Sequence, residues 1–177
     1  MSGFSRTLSM SDDIRIEPAT ERDVPLILSF TKALAEYERL AHEVVATETS
    51  VRESLFGPSP SAEAVIARMS NEPAGFAVWF HSYSTFLSRP GLYLEDLFVL
   101  PEWRGRGIGR ALLRHLARIA VSRGFGRLEW AVLDWNESAI RFYRSLGARP
   151  MDDWTVYRLT GDALTRLGTS SDQEPVP

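Results

Sequence analysis

The sequence predicts an α/β protein in which helices cover a partly antiparallel sheet. Strand-like and helix-like runs alternate in the second half of the chain, and two strand-like runs in the middle are joined by a short turn. The 177 residues, 44% of them hydrophobic, suit one globular domain with a sizeable core. We therefore expect a single domain over 1–177, with flexible polar ends at 1–12 and 169–177 and with Met10 as an alternative initiator.

The first half of the chain predicts a strand, two helices and a hairpin. "DIRIEPA" alternates as a strand, and the next run begins with a capping signal, Thr20 followed three residues later by Asp23, before helix-period apolar residues. "ATETSVRESLFG" predicts a second helix that starts at a threonine cap and stops at Gly57. "SAEAVIARM" and "AGFAVWFHSYS", separated by "SNEP", predict the hairpin.

The second half predicts three more strands and two more helices. "GLYLEDLFVLP" is typical of a buried strand, and "GIGRALLRHLARIAVSRG" of an amphipathic helix that ends at Gly124. "RLEWAVLDW" predicts a strand, "NESAIRFYRSLG" a helix, and "ARPMDDWTVYRLT" a turn and a final strand. The irregular stretch "HSYSTFLSRPG", 81–91, is our candidate for a binding loop.

Composition narrows the classes of partner and chemistry. A net charge of −3 and a pI of about 5.7 give no attraction for nucleic acid or an anionic membrane. The chain has no cysteine, which excludes disulfides, thiolate metal sites and a cysteine nucleophile. Its three histidines lack metal-ligand spacing, so we expect no metal. No signal-like or membrane-length apolar run occurs, and we expect a cytoplasmic protein.

The stretch "PEWRGRGIGRALLRH", 101–115, places Gly105, Gly107 and Gly109 among arginines, between a predicted strand and a predicted helix. Such a turn exposes backbone N–H groups where the helix dipole is positive, which favours a phosphate group. Glycines that serve only tight turns and close packing are the alternative. The pattern is not a Walker loop, which ends in Gly-Lys-Ser/Thr, and not a convincing Rossmann fingerprint.

Arg104, Gly107 and Gly109 form the pattern Arg/Gln-x-x-Gly-x-Gly, which resembles the acetyl-CoA loop of the GNAT N-acetyltransferases. "WNESAIRFYRSLGARP" resembles a later motif of that superfamily. "YLEDLFVLPEWRGRGIG", "LDWNESAIRFY" and "TKALAEYERLAHEVVATE" are similar to its diamine (spermidine/spermine) acetyltransferase branch, and the resemblance covers nearly all of 14–160. It implies a mixed, mostly antiparallel sheet of six to seven strands flanked by helices, with a splayed strand pair that binds acetyl-CoA.

The resemblance assigns catalytic roles to Glu95 and Tyr143. An alkylamine has a pKa of about 10.4 and must lose a proton before it attacks a thioester, so a base is required. Glu95 matches the branch's general base, and Tyr143 matches the acid that protonates the departing thiolate. On the residues alone, Glu95 also fits a strand-end carboxylate paired with an arginine, and Tyr143 an ordinary helix residue.

The resemblance also assigns a cofactor site. Asn136 belongs to it and independently fits a helix N-cap. Arg110, Arg114 and Arg118 recur at four-residue spacing, which suits either the cofactor's 3′-phosphate or a solvated helix face. Backbone groups of Glu129–Ala131 are expected to pair with the pantetheine arm. The predicted cofactor-binding residues are Leu97, Phe98, Val99, Arg104, Gly105, Arg106, Gly107, Ile108, Gly109, Arg110 and Asn136.

A cationic acceptor needs carboxylates beyond the base. In a regular strand Glu95 and Asp96 point to opposite faces, so only one of them is central unless a bulge intervenes. A further candidate carboxylate is Asp153, which precedes Trp154 in "MDDW". The predicted acceptor-binding residues are Tyr37, Glu38, Glu95, Asp96, Glu129, Trp130 and Asp153.

Together these residues predict an acetyl-CoA-dependent N-acetyltransferase that acts on a diamine, polyamine or lysine-like amine such as thialysine. Without cysteine, direct attack in a ternary complex is the expected mechanism. A protein or peptide N-acetyltransferase and a non-catalytic acetyl-CoA sensor remain alternatives. The branch resemblance further implies a homodimer.

Overall fold

The computed structural model describes residues 14–170, which fall into two compact units divided between Leu133 and Asp134. Met10, the predicted end 1–12 and residues 171–177 of the predicted end 169–177 lie outside the described residues. The single-domain organisation stays a prediction, and each unit is described by itself.

The first unit contains a five-stranded sheet and three helices. The strands are β1 (Ile14–Pro18), β2 (Glu63–Met69), β3 (Glu72–Ser84), β4 (Arg89–Val99) and β5 (Leu128–Trp130). The helices are α1 (Val24–Tyr37), α2 (Glu48–Phe56) and α3 (Ile108–Ser122). The spatial order is β1-β2-β3-β4-β5, antiparallel throughout except for the parallel pair β4 and β5. This is the predicted mixed, mostly antiparallel class.

An aromatic core fixes α1 on one face of the sheet. Thr20 and Asp23 form the predicted capping box just before α1, with the Thr20 N–H donating to Asp23 Oδ2 over 2.9 Å. Phe30 of α1 stacks on Phe76 of β3 at a centroid distance of 5.3 Å, and both pack against Phe98 of β4. Each such ring contributes roughly 1.5–3 kcal/mol of burial. This packing brings the C-terminal end of α1 towards β4.

The predicted middle hairpin is confirmed, and a second hairpin replaces the expected loop at 81–91. Ser70 and Asn71 turn between β2 and β3 with φ of +51° and +72°. β3 then continues to Ser84 and β4 begins at Arg89, which leaves only four residues in the connection. The Ser and Pro residues there predict irregular backbone, but ladder pairing with the neighbouring strand overrides that local preference.

The second unit contains α4 (Glu137–Ser145) and α5 (Gly161–Thr169). α4 was predicted, but the final strand was not found and α5 was missed. In 150–160 no strand forms, and Trp154, Val156 and Tyr157 are 69%, 87% and 92% exposed. Alternating residues produce a strand only where a partner satisfies the backbone and covers one face. The described sheet therefore has five strands, not six or seven.

α5 does have a sequence signal. Thr160 stands at its N-cap position and Asp162 in its first turn, while Leu164 and Leu167 are three residues apart, as on one helix face. The helix includes Thr169, the first residue of the predicted flexible end, which otherwise stays a prediction. Across 14–170, no helix is long and apolar enough to cross a membrane.

Candidate active site

A β-bulge in β4 singles out Glu95. Val78 lies opposite Asp96 and Trp79 lies opposite Leu94, so Glu95 is the extra residue on β4 with no partner on β3. A bulge of this kind leaves its extra residue outside the ladder and re-aims nearby side chains, often beside active sites. Glu95 is exposed, whereas Leu94 beside it is buried.

The bulge also changes which residues share a face of the sheet. Residues directly opposite each other on paired strands lie on the same face. Phe98, opposite Phe76, faces α1, and Asp96, two residues earlier, faces α1 with it. Asp96 therefore lies on the side of the sheet where α1 ends. At the bulge the regular alternation of side chains between the two faces of the sheet is shifted by one residue. The rule that neighbouring residues face opposite sides therefore does not apply to Glu95 and Asp96.

Glu38, Glu95 and Asp96 form an acidic cluster. Glu38 directly follows the last residue of α1. Burial, followed by repulsion from Glu95 and then from Glu38, raises the pKa of Asp96 from its ordinary 3.8 to about 6. Burial also raises the pKa of Glu38. Carboxylates that repel each other in a partly desolvated site form a receptor for a cationic group.

The raised pKa of Asp96 predicts a pH-dependent stability difference. A raised pKa means that the native state binds the proton more tightly than the unfolded state, so this contribution to stability is present at low pH and lost as pH rises from about 4 to beyond 6. Between about pH 4 and pH 7.5, we expect the free energy of unfolding of Asp96→Asn to rise by about 2 kcal/mol relative to that of the parent protein. Urea unfolding of both proteins measures this difference.

The control is Asp152→Asn, the same substitution at an exposed position of the second unit. Its free energy of unfolding is expected to depend on pH in the same way as that of the parent protein. A constant difference between Asp96→Asn and the parent protein at all pH values would show that the Asp96 carboxyl is not perturbed.

Arg104 borders the acidic cluster. Its guanidinium lies 4.6 Å from the ring centroid of Tyr37 and 5.5 Å from that of Phe98. Its Nε donates to the carbonyl oxygen of Val99 over 2.9 Å. These contacts join the end of α1 to the end of β4. The sequence pattern places Arg104 in the cofactor loop, but its side chain contacts the predicted acceptor residue Tyr37.

The glycine loop, Arg104–Gly109, has the backbone that the phosphate prediction requires. Gly105 and Gly107 have φ of +76° and +86°, and a Cβ added at either would meet no atom within 4 Å. Gly107 is the N-cap of α3, and no side chain caps the helix. The amides of Ile108 and Gly109 precede the first helical hydrogen bond, from the Ala111 N–H to the Gly107 oxygen. An anion can therefore approach this helix start closely.

The strands β4 and β5 pair only over a short ladder. Leu92, Tyr93 and Leu94 pair with Leu128, Glu129 and Trp130, and no registered pair of these two strands lies beyond Leu94. Leu97, Phe98 and Val99 remain paired with β3. The β5-side edge of this last part of β4 is thus outside the ladder, as the predicted opening requires, whereas Glu129 and Trp130 lie in the closed part. Glu129 is ion-paired to Arg127, with Nε to Oε2 at 2.7 Å.

The remaining predicted residues lie in the second unit. Asn136 caps α4, with its Oδ1 accepting from the Ala139 N–H over 3.2 Å, which confirms the capping interpretation. Tyr143 lies on α4, its ring centroid 5.4 Å from that of Phe142. Asp153 and Trp154 are exposed in a turn. Their roles at the site stay predictions.

Sequence analysis missed the placement of the Arg104 guanidinium and could not locate the bulge. The sequence "YLEDLFV" does not indicate where the pairing register shifts, because the shift depends on the partner strand. Within 14–170, no group of three or more His, Asp or Glu residues is arranged to hold a metal ion.

Comparison with known proteins identifies the family. The sequence-family model described as "Acetyltransferase (GNAT) family" matches residues 31–148, about two thirds of the chain. The chain belongs to the GNAT acetyltransferase family. It is 35% identical to thialysine N-epsilon-acetyltransferase of Bos taurus, over 87% of this chain and 96% of the relative. It is 33% identical to L-ornithine N5-acetyltransferase NATA1 of Arabidopsis thaliana, over 86% and 87%.

The fold agrees with the family. A solved integron cassette protein from the mobile metagenome of V. cholerae superimposes with a TM-score of 0.75 at 26% identity, covering 89% of this chain and 99% of that one. The GNAT acetyltransferase described here is thus an N-acetyltransferase, and the resemblance stated from its motifs is confirmed.

Proposed function

We propose that this enzyme transfers an acetyl group from acetyl-CoA directly to a primary amine of a small cationic acceptor, a diamine, a polyamine or a lysine-like amine such as thialysine. The acidic cluster of Glu38, Glu95 and Asp96 beside the glycine loop carries the proposal. Such a cluster favours acceptors that bring positive charge in addition to the reacting nitrogen. Thialysine and ornithine, the acceptors named for two relatives, each carry two amino groups.

In the proposed reaction, acetyl-CoA binds with its pyrophosphate on the amides at the start of α3 and its pantetheine arm along the end of β4. Glu95 accepts a proton from the acceptor ammonium, directly or through water. The neutral nitrogen attacks the thioester carbonyl carbon, the new C–N bond forms, and the C–S bond breaks. The thiolate takes a proton from Tyr143, and the acylated nitrogen loses its second proton to solvent, from which the Tyr143 hydroxyl is restored. Asp96 and Glu38 hold a second cationic group of the acceptor.

The first experiment follows acetyl-CoA-dependent thiol release with spermidine, spermine, putrescine, thialysine, ornithine, lysine and a basic peptide, at several pH values. We expect turnover of at least one small amine that carries a second positive charge, and much slower turnover of a monoamine of the same length. Turnover of the peptide alone would favour a protein acetyltransferase. Binding of acetyl-CoA without any turnover would favour a sensor.

A substitution at Arg104 tests whether its side chain serves the acceptor site or the cofactor site. Arg104→Gln removes a guanidinium–ring interaction with Tyr37 and a hydrogen bond to Val99, together worth about 1.5–3 kcal/mol, and so weakens the link between the end of α1 and the end of β4. We expect the KM for the amine to rise about tenfold, with the KM for acetyl-CoA changed less than about threefold. Steady-state kinetics with each substrate varied in turn measures both constants.

Arg106→Gln is the matched control. Arg106 lies in the same loop, but its guanidinium packs on the Trp103 ring, 4.9 Å from the ring centroid. We expect the opposite pattern, a raised KM for acetyl-CoA and a nearly unchanged KM for the amine. If Arg104→Gln raised only the KM for acetyl-CoA, Arg104 would be a cofactor residue through its side chain, as its motif suggests.

We further propose that the enzyme is a homodimer. Exposed apolar side chains of the second unit, Trp154, Val156 and Tyr157 among them, supply a surface that self-association would cover. Light scattering is expected to give a mass near twice 19.9 kDa, falling to the monomer mass in the variant Trp154→Ser/Tyr157→Ser. A monomeric parent protein would refute this proposal and leave the catalytic one intact.

A further inference from the structure

A cationic surface lies along α3, on the side of the helix next to β1. This α3–β1 groove encloses about 470 Å³. Its walls include Ile14 and Ile16 of β1 and the α3-side residues Arg106, Arg110, Arg114 and Arg118. Four of these residues are arginines and none is acidic, in a chain whose net charge is −3. The groove is therefore a local concentration of positive charge on an otherwise slightly acidic protein.

Two of these arginines, Arg114 and Arg118, form an arginine row, four residues apart on α3. Arg114 and Arg118 are exposed and enter no ion pair with a carboxylate of residues 14–170. Like charges four residues apart on a helix destabilise it by about 0.2–0.5 kcal/mol per pair. An anionic partner that lies along the row would remove this repulsion, so the charge pattern favours an extended acidic ligand over a single small anion.

The other wall of the groove is an edge of the described sheet. Within residues 14–170, β1 is the edge strand and pairs with β2 alone. The Ala19 N–H donates to the Ala64 oxygen, and antiparallel ladders alternate, so Glu17 and Arg15 also direct their backbone groups towards β2. Ile14 and Ile16 then direct theirs away from β2. The two residues whose side chains line the groove thus offer the unpaired backbone groups of the sheet edge.

We propose that an extended acidic segment of a partner protein binds in the α3–β1 groove, adds antiparallel to β1, and places its carboxylates against Arg114 and Arg118. Alternate residues of a strand are about 6.6 Å apart, and residues four apart on a helix rise by about 6 Å, so alternate carboxylates match the spacing of the row. Backbone pairing gives affinity and the alternate side chains give specificity in this mode of recognition. The proposal does not depend on the acceptor of the catalytic reaction.

The test uses fluorescence anisotropy with a fluorescein-labelled nonapeptide of alternating glutamate and threonine. We expect saturable binding to the full-length protein, weakened more than about tenfold in Arg114→Gln/Arg118→Gln. The control is Arg22→Gln/Arg52→Gln, which removes the same charge from exposed arginines that do not line the groove. It is expected to change affinity less than about twofold. Equal losses in both variants, or no saturable binding at all, would overturn the proposal.

Two further peptides test the strand pairing. In antiparallel addition, residues opposite Ile14 and Ile16 share their face and bond to their backbone, so these are the glutamates. N-methylation of the glutamate amides is expected to abolish binding, and N-methylation of the threonine amides to preserve it. Preserved binding of both peptides would overturn pairing with β1.

A competition experiment separates the groove from the cofactor site. Excess adenosine 3′,5′-bisphosphate is expected to leave most of the peptide bound, because the predicted cofactor-binding residues of the groove, Arg106, Gly107 and Arg110, lie at one end of it, before Arg114 and Arg118. Complete displacement of the peptide would overturn the proposal by assigning the whole arginine row to the cofactor.

Discussion

Replacing Glu95 with glutamine is expected to lower kcat at neutral pH by about 10²–10³, the usual contribution of a positioned general base. Glutamine keeps the size of the side chain and the bulge of β4 but accepts no proton. The residual reaction must use the small fraction of acceptor that is already neutral. Its rate is therefore expected to rise about tenfold per pH unit until the amine's own pKa of about 10.4 is approached. Steady-state rates across pH measure this dependence.

Glu72→Gln is the control for the loss of one negative charge. Glu72 is exposed at the start of β3, in the hairpin that turns at Ser70 and Asn71, and its replacement is expected to leave kcat within about twofold. A Glu95→Gln enzyme with nearly parental kcat but a raised KM for the amine would make Glu95 a binding residue only. The base would then have to be sought in another group of the acidic cluster.

Changing Tyr143 to phenylalanine is expected to lower kcat about 10²-fold while the KM for acetyl-CoA stays within about threefold. The ring and its packing beside Phe142 are kept, and only the hydroxyl that would protonate the thiolate is lost. The defect is expected to shrink with a thioester donor whose thiol is more acidic, because such a thiolate leaves without help. Single-turnover rates with two donors measure this difference.

Tyr157→Phe removes a phenol from the same unit at a position that is 92% exposed in the single chain, keeps the ring that the proposed dimer surface uses, and is expected to leave kcat unchanged. A Tyr143→Phe enzyme whose defect is the same for both donors would argue against an acid role. The hydroxyl would then act in binding or in the stability of α4.

Most of the fold was predictable because local signals and burial agree. α1 directly follows a capping box and has a helix-period apolar face, and α3 begins at a glycine and ends just before Gly124. The turn at Ser70 and Asn71 separates two strongly apolar strands. Predictions failed where a local pattern needed a partner. Residues 150–160 alternate like a strand, yet no neighbouring strand pairs with them.

The candidate site divides in the same way. Glu95 and the loop glycines could be taken from motifs, since the proposed reaction needs a base and the positive φ angles of Gly105 and Gly107 favour glycine. The repulsion between Asp96 and Glu38 joins residues 58 positions apart and follows from how α1 packs on β4. The free edge beside the arginine row likewise depends on the strand order.

By itself, then, the sequence determined the family, the glycine loop, the helices with their caps and the candidate base, because each is set by residue types within a few positions of one another. Only the tertiary structure decided that β4 bulges at Glu95, that Asp96 is desolvated beside two other acids, and that the Arg104 guanidinium contacts Tyr37. These features arise from strand register and helix packing between distant segments. Their energies are shared among many residues, so no short stretch of sequence encodes them.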